Sequence, residues 1–167
     1  PLLFRFLALR TKVTRLTLMF QKELADRITA SPGMKAYRQL SVAAQLFTEA
    51  KIGFTVPPTC FIPPPRVNSA VISLRVRSKP PIAVGNESHF LDIVRRAFAY
   101  RRKTLVGALC QGGLDKQEVM NALSKSQITS TRRAETLTIE EFASLAHAFT
   151  TIPIPIEPPP NRRGRLS

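Results

Sequence analysis

Two kinds of hydrophobic periodicity divide this chain. In its first part, short alternating apolar runs predict strands, and apolar residues three or four positions apart predict helices between them. The predicted elements are strands at residues 16–20, 51–56 and 68–76 and helices at residues 21–28 and 42–50, the second helix being capped by Ser41. This pattern predicts a strand-and-helix region that ends near residue 79.

The second part of the chain follows a proline-containing linker at residues 78–86, and its pattern is wholly helical. One apolar stripe from Leu91 to Leu109 predicts a single run of helix that Gly112 and Gly113 stop. Two further helices are expected, at residues 115–123 and, behind a capping box of Thr138 and Glu141, at residues 139–149.

These patterns predict a chain of three segments. We expect a strand-and-helix region at residues 1–79, a small helical domain at residues 87–150, and a disordered tail rich in proline and arginine at residues 151–167. The first nine residues have the pattern of an amphipathic helix with Pro1 in its first turn. A chain that opens inside a helix is expected to be a piece of a longer protein.

The connection between the second and third predicted strands is unusually rich in proline. Five prolines fall within residues 57–65, so this segment can be neither a helix nor a central strand and must be stiff and extended. Phe61 lies between the proline pairs. A ring held on a stiff loop suits base stacking, which is worth about 1–3 kcal/mol per base. The alternative from composition alone is that Phe61 packs under the loop as part of the core.

The net charge of the chain narrows the class of molecule that it is expected to bind. The 167 residues carry 25 Lys and Arg against 11 Asp and Glu, a formal net charge of +14. Residues 1–110 hold 18 of the basic and 5 of the acidic side chains, and this asymmetry favours a phosphate backbone over an ordinary solvated surface or a membrane. Cys60 and Cys110 are far apart, which is typical of a reducing, cytoplasmic compartment, and two histidines are too few for a metal site.

A second candidate site is a run of cations late in the first long helical pattern. Residues 95–103 contain five of them and no acidic residue. They are Arg95, Arg96, Arg101, Arg102 and Lys103. Contact with RNA phosphates is favoured over a merely solvated helix face. We find no glycine-rich nucleotide loop or hydrolase motif, and His147 is expected to be a partly buried helix residue.

Several of these segments resemble the ribosomal RNA adenine dimethyltransferases. Residues 61–71 read FIPPPRVNSAV, which is similar to the family's F-x-P-P-P-K/R-V-x-S-A-V signature. MFQKE at residues 19–23, FAYRRKTL at residues 98–105 and RAE at residues 133–135 match the family in the same order. The resemblance covers about residues 1–149, and it is nearest to the bacterial small-subunit enzymes.

The resemblance implies a fold and an activity. The fold would be α/β, the C-terminal portion of a Rossmann-type S-adenosylmethionine-dependent methyltransferase sheet ending in an antiparallel hairpin, followed by a small all-α domain. The family moves methyl groups from S-adenosylmethionine to the exocyclic amine of adenosines in small-subunit rRNA. Phe61 would stack on the target adenine, and Arg66 with the five cations of residues 95–103 would bind rRNA or the small ribosomal subunit.

The departures from the family pattern matter as well. The family's glycine-rich cofactor loop and its amine-binding motif would precede Pro1, so this chain would lack most of the S-adenosylmethionine site and be inactive and poorly stable alone. Arg38 stands where the family usually has glycine. The main alternative is a non-catalytic rRNA- or ribosome-binding module, and a weaker one is a DNA-binding transcription-factor relative.

Overall fold

The computed structural model describes Phe6 and residues 10–149. The predicted tail, and all but Phe6 of the predicted N-terminal helix, lie outside the described residues. The elements are β1 (Arg15–Gln21), α1 (Lys22–Thr29), α2 (Gln39–Phe47), β2 (Thr48–Val56), β3 (Ser69–Val76), α3 (Glu87–Ala99), α4 (Leu105–Gln111), α5 (Lys116–Lys125) and α6 (Ile139–Phe149). Short 3₁₀ turns lie at Pro58–Cys60 and Ala134–Thr136.

The three strands form one sheet in which β3 lies between β1 and β2. Both pairings are antiparallel, with Leu18 and Ile52 opposite Ile72, so β1 and β2 run in the same direction on either side of β3. The predicted strands and the antiparallel hairpin of β2 and β3 are confirmed. No two neighbouring strands among the described residues are parallel, so the parallel ladder expected of a Rossmann sheet is not among them.

One face of the sheet forms the core of the first part. Alternation along the strands directs one set of side chains inward. On β1 and β3 this set is Leu16, Leu18, Phe20, Ala70, Ile72 and Leu74. Helix α1 packs against all three strands. The other face carries exposed apolar side chains, with Met19 and Phe54 both opposite Val71.

Two predicted helix boundaries are wrong. Helix α2 begins at Gln39 and ends at Phe47, so residues 48–50 belong to β2. Ser41 lies inside the first turn rather than at the cap, and its hydroxyl accepts from the Arg38 amide at 2.9 Å and donates to the Arg27 carbonyl. Thus Ser41 joins the start of α2 to the end of α1.

The single helical run predicted from Leu91 to Leu109 is two helices. Helix α3 ends at Ala99, and α4 begins after Thr104, whose hydroxyl accepts from the Gly107 amide at 3.4 Å. The Leu105 amide then donates to the Arg132 carbonyl at 2.7 Å, outside any helix. The apolar stripe continues across the break because both helices pack on one core. The capping box of Thr138 and Glu141 on α6 is confirmed.

The loop at residues 31–38 joins the sheet region to the helices. Tyr37 is fully buried and packs edge-on against Phe98, with ring centroids 5.9 Å apart, and Phe98 in turn contacts Phe142. The Gly33 amide, at a φ of +86°, donates to the Glu135 carbonyl at 2.7 Å. One continuous cluster of buried side chains therefore runs from α1 to α6.

Candidate nucleic-acid interface

The proline-rich loop is ordered by its own backbone. Inside the loop, the amides of Cys60 and Phe61 donate to the carbonyls of Pro57 and Pro58 at 3.1 Å. Phe61 is half-buried but belongs neither to the buried core nor to the apolar side chains packed on it. The loop thus presents the ring at the surface, and the alternative of Phe61 as a core residue receives no support.

The loop lies at the edge of the sheet where β1 and β2 both end. Gln21 and Val56, the last residues of those strands, are both opposite Ser69. The Lys22 amide donates to the Asn68 carbonyl at 2.9 Å, which ties the first turn of α1 to the end of the loop. Ligands of α/β sheets bind at this edge, outside the carboxyl ends of strands that run in one direction.

A shallow groove accompanies the loop. Its lining residues are Gln21, Lys22, Glu23, Pro58, Arg66, Val67 and Asn68. Arg66 is exposed on this groove and makes no ion pair with any described residue, whereas the Lys22 ammonium lies 2.7 Å from Asp26. Arg66 is therefore the cation of this groove that remains available to a phosphate.

The predicted run of five cations divides at the end of α3. Arg96 is only 6% exposed, its Nε lies 2.6 Å from Asp92, and it also donates to the Gly112 carbonyl. This corrects the prediction that Arg96 binds RNA, because its guanidinium is enclosed and already bonded. Burial alone would raise the pKa of Asp92, but hydrogen bonds from Arg96 and Arg95 outweigh it and lower that pKa.

The cations after the break are differently placed. Arg101 lies 2.9 Å from Glu135 and donates to the Lys35 carbonyl at 3.1 Å, so it links the helical part to the loop at residues 31–38. Arg102 and Lys103 are exposed and make no ion pair within the described part of the chain. They are the members of the run best placed for phosphates.

Sequence reasoning missed two basic residues next to Arg101. Lys35 and Arg38 line a groove beside α1 together with Ala36, Arg27, Glu23 and Asp26. Partial burial, followed by the positive charges of Arg101 and Arg27, lowers the pKa of the Arg38 guanidinium. These two cations are near Arg101 only after folding, so no pattern in the sequence indicates them.

Three grooves formed by described residues do not fit S-adenosylmethionine. They are open and lined largely by charged or polar side chains, whereas cofactor sites are concave and mostly apolar, and the sequence contains no glycine-rich nucleotide loop. Within the described residues, no cluster of three or more His, Cys, Asp or Glu side chains could hold a metal.

His147 is exposed rather than partly buried, and its Nε2 lies 3.1 Å from the Ala83 carbonyl.

Comparison with solved structures identifies the fold. A dimethyladenosine transferase from Plasmodium falciparum matches with a TM-score of 0.71 and 23% identity, over 90% of this chain and 62% of that one. The fold is thus α/β and is shared with that dimethyladenosine transferase. Within the described residues, no helix has the length and apolar character to cross a membrane.

Sequence comparison then gives the family. The family model described as ribosomal RNA adenine dimethylase matches residues 1–151. Two relatives are both named ribosomal RNA small subunit methyltransferase A. The one from Geobacillus sp. is 45% identical over 153 residues, and the one from Pelotomaculum thermopropionicum is 46% identical over 151 residues. This chain belongs to the ribosomal RNA adenine dimethylase family, and it spans about half the length of these relatives.

Proposed function

We propose that this chain is part of an rRNA adenine dimethyltransferase and supplies the portion that receives the target adenosine and docks on small-subunit rRNA. The observation that carries the proposal is the stiff loop holding Phe61 at the strand-end edge, beside the groove lined by Arg66. The exposed pair Arg102 and Lys103 supplies a second contact with RNA.

The loop has a physical role in such a reaction. An adenine inside an RNA helix must leave its stack before its exocyclic amine can be reached. A ring on a loop whose backbone is already fixed, like that of Phe61, stacks on the extruded base at a lower cost of ordering. Arg66, on the same loop, lines the adjacent groove. In this proposal it holds the phosphate of the extruded nucleotide, and the two side chains together orient the base.

The methyl donor implied by the family is S-adenosylmethionine, which supplies an electrophilic methyl group when bound. Because the three grooves formed by described residues do not fit it, we propose that other residues of the enzyme hold it. In this proposal the two domains are residues 1–79 and 87–150, the first receiving the base and the second docking on rRNA in the cytoplasm.

A chimera tests this proposal. The chain replaces either the second or the first half of the Geobacillus relative, and methyl transfer to under-methylated small ribosomal subunits is measured. Transfer is expected from only one of the two chimeras, and none from the chain alone. Phe61→Leu should lower kcat/KM about tenfold or more, while Phe61→Tyr keeps the ring and the rate. Equal rates for Leu and Tyr would refute the stacking role.

The second candidate is a non-catalytic rRNA-binding module, and the exposed cations after α3 favour it independently of Phe61. Such a module would bind small-subunit rRNA with the same affinity whether or not S-adenosylmethionine is present. It would also leave both chimeras inactive while RNA binding remained sensitive to salt. Activity of either chimera would exclude this candidate.

A further inference from the structure

Two cations in the loop between α1 and α2 carry charge that no ion pair among the described residues neutralises. Lys35 is exposed, and among the described residues the Arg38 side chain donates only to backbone carbonyls, those of Lys35 and Tyr37. We propose that Lys35 and Arg38 form a phosphate-binding site for the RNA backbone, which joins the contacts at Arg102 and Lys103 to those at the proline-rich loop. The proposal rests on the proposed function, because both require RNA.

The Arg38 guanidinium is held in place before any ligand arrives. The backbone amide of Arg38 donates to the Ser41 hydroxyl at 2.9 Å, and one terminal nitrogen of the guanidinium, NH1, donates to the Tyr37 carbonyl at 2.8 Å. No hydrogen bond with a described residue uses Nε or NH2. A guanidinium fixed through one nitrogen keeps the rest of its fork of donors for a phosphate.

A second guanidinium converges on the same point. Arg101 donates to the Lys35 carbonyl at 3.1 Å, and Arg38 donates to that same oxygen. Glu135, 2.9 Å from Arg101, partly neutralises that residue. The pKa of Arg38 is lowered by partial burial, then by the like charges of Arg101 and Arg27, which outweigh the smaller opposing effects of Glu135 and Glu23. A bound anion would relieve this repulsion.

The position of the site favours RNA as the occupant. Arg102 and Lys103 follow Arg101 directly in the chain, so the site is continuous with exposed cations on the helical side. On the other side, the groove lined by Lys35 and Arg38 shares Glu23 with the groove beside the proline-rich loop. The acidic residues of the groove are already paired, Glu23 with Arg27 and Asp26 with Lys22.

Binding of small-subunit rRNA to the 167-residue chain, measured against salt concentration, tests the site. Lys35→Gln with Arg38→Gln should reduce the slope of log K against log salt by about 1.5, since each lost phosphate contact removes about 0.7–0.9. The matched control is Lys51→Gln with Lys79→Gln, which loses the same charge from exposed residues and should keep the slope.

Other variants separate the possible outcomes. Lys35→Gln alone changes an exposed side chain, so it keeps the fold and should lower the slope by about 0.7–0.9. If Arg102→Gln with Lys103→Gln weakens binding but the Lys35 and Arg38 variants match the control, this site is refuted while the proposed function stands. Absence of RNA binding by the parent chain would overturn both, and tighter binding to phosphatidylserine vesicles through Lys35 and Arg38 would overturn the choice of RNA.

Discussion

Arg96 and Arg102 belong to one run of cations in the sequence and have opposite roles in the fold. Arg96 lies inside α3, enclosed between Asp92 and the Gly112 carbonyl. Arg102 lies just beyond the end of that helix and is exposed. The difference arises because Arg96 lies on the face of α3 that meets Gly112, whereas Arg102 lies in the turn between α3 and α4. A dense run of cations is therefore not one surface.

The two ends of the run also differ in what they contact across the molecule. Arg96 holds the segment after α4 through its hydrogen bond to the Gly112 carbonyl. The packing there is tight, because a Cβ added at Gly112 would lie 3.0 Å from the Cβ of Arg96. Arg101 reaches instead to Glu135 and to the loop at residues 31–38. The cations before the break pair with Asp92 inside the helical part, whereas Arg102 and Lys103 beyond it are exposed.

The largest effect should come from removing the enclosed cation. Arg96→Ala breaks a buried ion pair and leaves the Gly112 carbonyl without that donor, so the free energy of unfolding should fall by about 3 kcal/mol. Arg102→Ala, the matched exposed change, should alter it by less than about 0.5 kcal/mol. Denaturant unfolding measures both, and equal losses would contradict the comparison.

A smaller loss of stability should follow when a substitution fills the space beside Arg96. In Gly112→Ala the new Cβ would lie 3.0 Å from the Arg96 Cβ and 3.1 Å from the Leu109 carbonyl oxygen, so overpacking should cost about 1–3 kcal/mol. In the control, Gly107→Ala, the Lys103 Cβ would be at an ordinary 3.4 Å, and the change should be neutral or stabilising by up to about 1 kcal/mol. Thermal and denaturant unfolding distinguish the two, and a neutral Gly112→Ala would show that Arg96 is loosely held.

Local signals explain what could be predicted from the sequence. The strands and the cap at Thr138 depend on periodicity and on neighbours a few positions apart, whereas the antiparallel hairpin was implied by the family resemblance. The stiffness of the loop around Phe61 follows from proline itself. These features confirm the α/β fold class, while the roles of Phe61 and Arg66 stay predictions.

What the sequence did not reveal depends on contacts between distant residues. Arg96 is buried because the chain returns to it at Gly112, 16 residues later. The break before Leu105 was hidden because α3 and α4 pack on one core and keep the apolar stripe in register. Lys35 and Arg38 join the basic surface only because Tyr37 docks their loop against Phe98.

The exposed end of the run should act on binding and not on stability. Arg102→Ala with Lys103→Ala should weaken binding to small-subunit rRNA about tenfold at low salt, the loss of roughly two phosphate contacts, with unfolding unchanged. Arg101 is left in place because its pairing with Glu135 would mix the two effects. Filter binding with RNA of the parent and the double variant gives the ratio, and equal affinities would remove these residues from the interface.

The smallest expected effect is on the stability of the protein at acid pH, and it should depend on the Arg96 end of the run but not on the Arg102 end. Arg96 and Arg95 hold the pKa of Asp92 below its ordinary value of 3.8, against the opposing effect of burial. Protonation is therefore harder in the folded state, so this stabilisation is complete above pH 3.8 and is lost as the pH falls below it, through the lower folded pKa. Unfolding measured from pH 7 to about 2.5 should show a shallower acid loss in Asp92→Asn, which carries no titrating group. Arg102→Ala should keep the parent profile, and a profile unchanged by Asp92→Asn would show that the pair contributes no acid-dependent stability.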